Sequence, residues 1–188
     1  MLSLEQEQQS LLAMIKGRTV SPGPGPDPDP WLERVASSRG LQMVREIALW
    51  WRRFQIESQC RYTSRMMKRL DCFDSYVAQY FRSHSTSPSI EQFTSEFLSS
   101  LEDHCDPVLR AVAQFELACI TLRNTTLHAS TITWDREPSR VLTALDRFSD
   151  LPSPEPQAQY VMKIGPGSLS HIICDLQPLT NPPHEIAS

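Results

Sequence analysis

The run from residue 40 to 58, Gly40-Leu41-Gln42-Met43-Val44-Arg45-Glu46-Ile47-Ala48-Leu49-Trp50-Trp51-Arg52-Arg53-Phe54-Gln55-Ile56-Glu57-Ser58, sets the class of the fold. Leu41, Val44, Ile47/Ala48, Trp51 and Phe54 recur at three- and four-residue steps, the spacing of a buried helical face. Arg45, Arg52 and Gln59 share another face, seven residues apart. Working outward, residues 2–17 read as a helix with Leu4, Leu11, Leu12 and Ile15 near one stripe, stopped by Gly17. Residues 18–30, RTVSPGPGPDPDP, hold five of the fifteen prolines. Every second residue there lacks an N–H, which predicts an extended, mobile loop. Asp29 as N-cap and Pro30 at the first helical position then open a new helix.

Downstream, a helix near 60–69 continues the basic surface of the long helix. Phe73, Val77, Tyr80 and Phe81 line the next helix, which Ser87-Pro88-Ser89-Ile90 ends. Ser89 and Gln92 have capping-box spacing, and Phe93, Phe97, Leu98 and Leu101 face inward from the helix that follows. Asp106-Pro107 repeats the N-cap and proline device ahead of Val108, Ala111/Val112, Phe115, Ala118/Cys119 and Leu122. After Asn124 the texture changes. Thr131-Ile132-Thr133-Trp134 alternates and reads as a strand. Pro138 to Phe148 is a short helix with Val141, Leu142 and Leu145 inward. Tyr160–Ile164 is a second strand, Gly165-Pro166-Gly167-Ser168 a turn, and His171–Leu176 a third strand. The expected class is α+β: an all-α domain over 1–126, then a strand–helix–strand–strand module over 127–178 with a three-stranded, winged-helix or peptide-recognition-like sheet. Residues 179–188 form a proline-containing, frayed tail.

Forty per cent hydrophobic and 21% charged residues in 188 suffice for a real core and exclude a disordered tail or a coiled coil. The longest apolar runs are too short for a transmembrane helix. Met1-Leu2-Ser3-Leu4-Glu5 lacks a basic region leading into an apolar stretch, so no secretory signal is expected and the cytoplasm is the expected location. Five cysteines without a C-x-x-C fit reduced thiols. Charge is uneven. Residues 34–69 carry nine basic side chains against two acids, a local +7 that leaves −11 on the rest of a chain of net −4. Such a face either attracts an acidic partner or is only a solvated helix surface. Arginine outnumbers lysine fifteen to three, and its planar fork suits fixed contacts.

Catalytic chemistry finds no support. No histidine pair stands at i, i+3 or i+4, and no cysteine pair brackets a loop, so no metal site is expected. There is no G-x-S-x-G, no phosphate-cradling glycine loop and no H-E-x-x-H. Gly165-Pro166-Gly167 reads as a hairpin turn, since no Lys-Ser/Thr follows. Cys60 and Cys72 flank the basic stretch but lack a nearby histidine, and read as ordinary half-buried thiols. Glu116 borders the apolar stripe of its helix. A carboxylate there needs a partner, and pairing with an arginine of the basic helices is the expected role.

Taken together, Gly40-Leu41…Val44-Arg45, Phe73…Tyr80-Phe81-Arg82-Ser83-His84, Ser87-Pro88-Ser89-Ile90…Phe93…Phe97-Leu98 and Asp106-Pro107-Val108-Leu109…Ala113…Phe115-Glu116-Leu117-Ala118 resemble a bacterial helical family labelled as DNA-binding domains of unknown function. Its members stand beside TIM-barrel multinuclear non-haem iron oxidases in the biosynthesis of ribosomal peptide natural products. Ile132-Thr133-Trp134, Val141–Leu145 and the Tyr160–Ile164 strand resemble the small module such partner proteins append. The likeness spans about residues 40–176, with Val44 where the family carries tyrosine. It implies a non-catalytic accessory subunit, forming a heterodimer with the oxidase. Such a subunit holds a ribosomally made precursor peptide and presents its cysteine-bearing end, with iron only in the partner and no cofactor in this chain. Arg45, Arg52 and Arg53 are the residues expected to dock the partner. For the peptide, an edge of the small sheet is a template for an added strand. The expected groove lies between Tyr160, Met162 and Ile164 of the second strand and Arg140, Ala144 and Arg147 of the short helix. The alternative is a DNA-binding transcriptional regulator, suggested by the family label and the +7 segment. The acidity of the whole chain weakens the counterion-release term on which that alternative depends.

Overall fold

The computed structural model describes residues 3–18, 30–84, 89–124, 129–154, 158–165 and 173–178. Within them lie eight helices: α1 (Leu4–Ile15), α2 (Pro30–Ala36), α3 (Arg39–Gln59), α4 (Arg61–Arg69), α5 (Phe73–Ser83), α6 (Ile90–Ser99), α7 (Pro107–Asn124) and α8 (Pro138–Arg147). Three strands complete them: β1 (Ser130–Trp134), β2 (Ala158–Ile164) and β3 (Ile173–Pro178). The class is therefore α+β with a helical bulk, and the change of texture falls after α7, where the sequence places it. The expected features at 19–29, 85–88, 166–172 and 179–188 lie outside the described residues, as does the N-cap expected of Asp29.

Helix ends follow local chemistry. Ser3 and Gln6 cap each other at the start of α1. Gly17, at φ 69°, ends that helix: its N–H donates to Met14 O and that of Arg18 to Ala13 O, a Schellman pair. Ser38 Oγ accepts from Leu41 N at 3.1 Å, and Asp106 Oδ1 from Leu109 N at 2.8 Å. Ser89 Oγ accepts from Gln92 N at the start of α6.

A continuous core joins the bundle to the sheet. Ile56, Met67, Val77, Phe93, Phe97 and Leu109 belong to it, and so do Ile132, Trp134, Val141, Leu145 and Met162. Truncating a fully buried phenylalanine such as Phe93 or Phe97 to alanine costs about 3–5 kcal/mol in such a setting. The described helices α3 to α7 and the described strands β1 and β2 with α8 thus contribute to one core cluster. A second, smaller cluster ties α1, α2 and α3 together through Met14, Leu32 and Leu41. The stripe expected on α1 is corrected here: Leu4 and Leu12 are exposed and Met14 is the buried contact.

β2 pairs antiparallel with β1, Ile132 opposite Met162 and Trp134 opposite Tyr160, and pairs antiparallel with β3 on its other side. β2 is therefore the middle strand. Alternation holds, with Tyr160, Met162 and Ile164 buried and Lys163 exposed. Along β1, Ile132 and Trp134 point inward while Thr131 and Thr133 face out. The inner face of β1 rests on α7, and α8 lies against α4.

The facing of α3 differs from the expectation. Leu41 and Ile56 are buried, and Arg45, Ala48, Leu49, Arg52 and Gln55 lie on the same inward side. Val44, Ile47, Trp51 and Phe54 are exposed, together with Met43 and Trp50. Two apolar stripes repeat along this helix at i+7. The lighter one, Leu41/Ala48 with Leu49/Ile56, packs inward toward α4, α5 and α6.

Candidate functional site

The arginines expected to dock a partner are engaged inside the chain. Arg45 Nε donates to Met14 O at 2.6 Å, which pins the end of α1 to α3. Arg52 Nη1 donates to Gln55 Oε1 at 2.9 Å, and its guanidinium stacks 4.4 Å from the centre of the Phe93 ring. Arg53 Nε lies 3.0 Å from Asp74 Oδ1. The expectation that Arg45, Arg52 and Arg53 form a free docking face is corrected accordingly: the face on which Arg45 and Arg52 lie is turned toward the bundle.

The rest of the basic segment meets acids from distant parts of the sequence. Arg61, Arg65 and Arg69 recur every four residues along α4 and make one row. Arg61 and Arg65 both reach Asp146. Arg65 Nη1 also donates to the carbonyls of Leu145 at 3.2 Å and Asp146 at 3.1 Å. Arg69 bridges Ser149 O at 2.8 Å and Asp150 Oδ1 at 3.0 Å. The row caps the C-terminus of α8, where carbonyls lack helical donors and the dipole favours cations. Phe148 continues from α8 in the left-handed region at φ 54°, with the Arg65 guanidinium 4.4 Å from its ring centre. Much of the local +7 is thus a clamp on this chain's own acidic segment.

Glu116 has a different partner from the one expected. Its side chain is buried at 7% exposure, and its two oxygens accept from Tyr62 N at 2.8 Å and Thr63 N at 2.9 Å. Those N–H groups belong to the first turn of α4, whose N-cap Cys60 supplies no side-chain acceptor. Glu116 therefore caps α4 from α7. Burial pushes its carboxyl above the ordinary value, opposed by the hydrogen bonds it accepts. Burial, with Glu116 next, drives the Cys60 thiol well up, and burial also raises Cys72 and Cys119, so none of the three is poised as a nucleophile.

The six residues expected to bind peptide separate into two groups. Tyr160, Met162 and Ile164 are core, and β2 is bonded on both sides, so they line no groove and their strand accepts no further strand. Arg140, Ala144 and Arg147 do border a cavity of about 300 Å³, with Ser139, Thr143, Ser149, Asp150 and Pro152. It opens between α8 and the segment that follows it, not between α8 and β2. Arg140 is exposed, 3.9 Å from Glu137, and Arg147 is also exposed; the buried Ala144 forms the floor. Among the described residues, the outward edge of β1 has no strand paired to it.

The strongest surface feature is the one periodicity turned inward. Met43, Val44, Ile47, Trp50, Trp51 and Phe54 form an exposed apolar face on α3. Its rings touch each other, Trp50–Phe54 at 5.8 Å and Trp51–Phe54 at 5.6 Å between centres. The second stripe, Leu41, Ala48, Leu49 and Ile56, was the signal that could have revealed it. Among the described residues, no three His, Cys, Asp or Glu side chains stand close enough to hold a metal ion. Nor is any described helix long and apolar enough to cross a membrane. No protein-family model matches this chain, and neither a curated protein nor a solved structure matches it.

Proposed function

We propose that this chain is a non-catalytic carrier subunit in the cytoplasm that holds a ribosomally made precursor peptide and presents it to an iron-dependent TIM-barrel oxidase, which modifies a cysteine of the peptide. Its resemblance narrows to the small partner subunit of the peptide oxidase in the 3-thiaglutamate pathway. The observation that carries the reading is the outer edge of β1, to which no strand pairs among the described residues and whose inner face is locked into the core. Such an edge offers main-chain donors and acceptors to an extended leader, in the manner of peptide-recognition sheets. α8 follows β1 after three residues, and its exposed Arg140 and Arg147 flank a cavity that suits acidic leader side chains. The oxidase then docks on surfaces other than Arg45, Arg52 and Arg53. A DNA-binding role draws less support, since arginines that would meet phosphates are committed to contacts within the chain.

The test is titration of the intact chain with a short synthetic cysteine-containing peptide that carries an acidic leader, read by calorimetry and by hydrogen exchange. Binding should protect amides of Ser130–Trp134, and Arg140→Glu with Arg147→Glu should weaken affinity about tenfold with an unchanged circular-dichroism spectrum. Binding without protection of β1 would place the peptide elsewhere, and no binding would remove the reading.

A further inference from the structure

The exposed face of α3 is anomalous on three independent grounds. First, it is large and apolar. Ile47, Trp50 and Phe54 are 59%, 58% and 50% exposed, and Met43, Val44 and Trp51 extend the patch. Contiguous apolar surface of this kind marks an association site. Second, four of its residues are placed symmetrically about a point near the helix midpoint. Met43 and Phe54 lie at equal distances from the point between Ala48 and Leu49, and so do Ile47 and Trp50. Third, the charges at the ends oppose the helix dipole. Arg39 begins α3 and Glu57 stands near its end, with no acid in the first turn and no base in the last. Each is placed where the dipole of its own helix disfavours it.

An antiparallel copy answers all three. We propose that α3 seats a second copy of this chain, packed antiparallel about a two-fold axis. Met43 then meets Phe54 of the copy, and Ile47 meets Trp50. Arg39 and Glu57 are separated by about five full helical turns, so they project from the same flank of the apolar face. A perpendicular two-fold axis preserves the flank and reverses the direction. Arg39 of one copy therefore meets Glu57 of the other, at both ends, and each charge lies against the dipole end that favours it. Glu57 already bridges Lys68 at 2.8 Å, and Arg39 would join that pair as a third member. Six half-exposed side chains offer roughly 500 Å² per copy, below the ~800 Å² per partner of a standard stable interface. The pairing is accordingly reversible and concentration-dependent. This inference does not rest on peptide carriage.

The experiment is sedimentation of the full chain from low micromolar to several hundred micromolar, with tryptophan emission read alongside. The mass should rise from 21.4 kDa toward twice that value, and emission should shift to the blue as Trp50 and Trp51 leave water. Ile47→Asp and Trp50→Asp change exposed side chains and should stay monomeric with unaltered circular dichroism. Arg39→Glu and Glu57→Arg should each weaken association about fivefold or more, and the double exchange should restore it, because each end again faces its opposite. A chain that is monomeric at every concentration overturns the proposal, including one that captures a different protein through α3. So does a dimer indifferent to Ile47→Asp and Trp50→Asp, or a double exchange no better than the single ones.

Discussion

Replacing Glu116 tests whether one side chain of α7 organises the start of α4. In Glu116→Ala, the amides of Tyr62 and Thr63 lose acceptors held at 2.8 and 2.9 Å, the second in a buried position and the first in a part-buried one. Each orphaned buried donor costs about 1–3 kcal/mol, and removing a desolvated carboxylate returns part of that. The net expectation is a loss of about 2–3 kcal/mol, or a fall of roughly 4–12 °C in Tm for a chain of this size. Glu116→Gln keeps one carbonyl acceptor and should lose about 1 kcal/mol. The pH dependence supplies a second readout. The folded carboxyl titrates above its ordinary value of 4.5, chiefly because it is buried. Between that value and the raised one the folded state holds more protons than the unfolded, so this group's contribution to stability falls as pH rises through the window. Both variants should lack that slope. Urea denaturation across pH 4–8 measures both effects. A Glu116→Ala protein as stable as the parent at every pH would refute the capping role.

Arg65→Lys should loosen the end of α8 by about 1 kcal/mol after discounting for partial solvent screening, because an ammonium cannot reach the Leu145 and Asp146 carbonyls and the Asp146 carboxylate together. Faster amide exchange over 142–150 with the bundle unchanged is the expected result; uniform exchange would count against the clamp. Thiol labelling at pH 8 should modify Cys105 first among Cys60, Cys72, Cys105 and Cys119, since Cys105 is exposed and burial suppresses the thiolate of the others. Cys60 should react only on unfolding, and early labelling of it would mean that the α4 entrance opens readily.

Element positions were readable because punctuation is local. Gly17, Pro30, Ser89, Asp106 and Pro138 act on their own backbone neighbours, and each falls at a helix boundary. The inward faces of α5 and α6 were equally readable, since each carries a single apolar stripe; α7 is enclosed further round than its expected stripe, with Leu109 and Ala113 buried as well. α3 carries two, and which one is buried depends on the shape of the neighbouring helices, which no local pattern encodes. The destiny of the basic segment was hidden for a related reason: Asp146 and Asp150 lie about eighty positions away from Arg61, Arg65 and Arg69. Glu116 was singled out correctly as a buried acid that needs a partner. Its partner proved to be backbone N–H groups, which every residue owns and which therefore leave no mark in a sequence. The peptide groove failed on strand order, because β2 becomes central only when β3 adds to it.

The shared interior also has a consequence for how this chain comes into being. α1 to α7 leave the ribosome before β1, α8 and β2 do. At the ~5–20 residues per second of synthesis, that interval lasts seconds. During it, the seat on α7 that receives Ile132 and Trp134 is bare, and the α4 arginines have no acids to hold. The emerging bundle is then at its most vulnerable to aggregation and proteolysis, and its final closure waits on the last third of the chain. A truncation after α7 would freeze that unfinished state, so loss of an activity in such a fragment would report failed folding rather than a missing site.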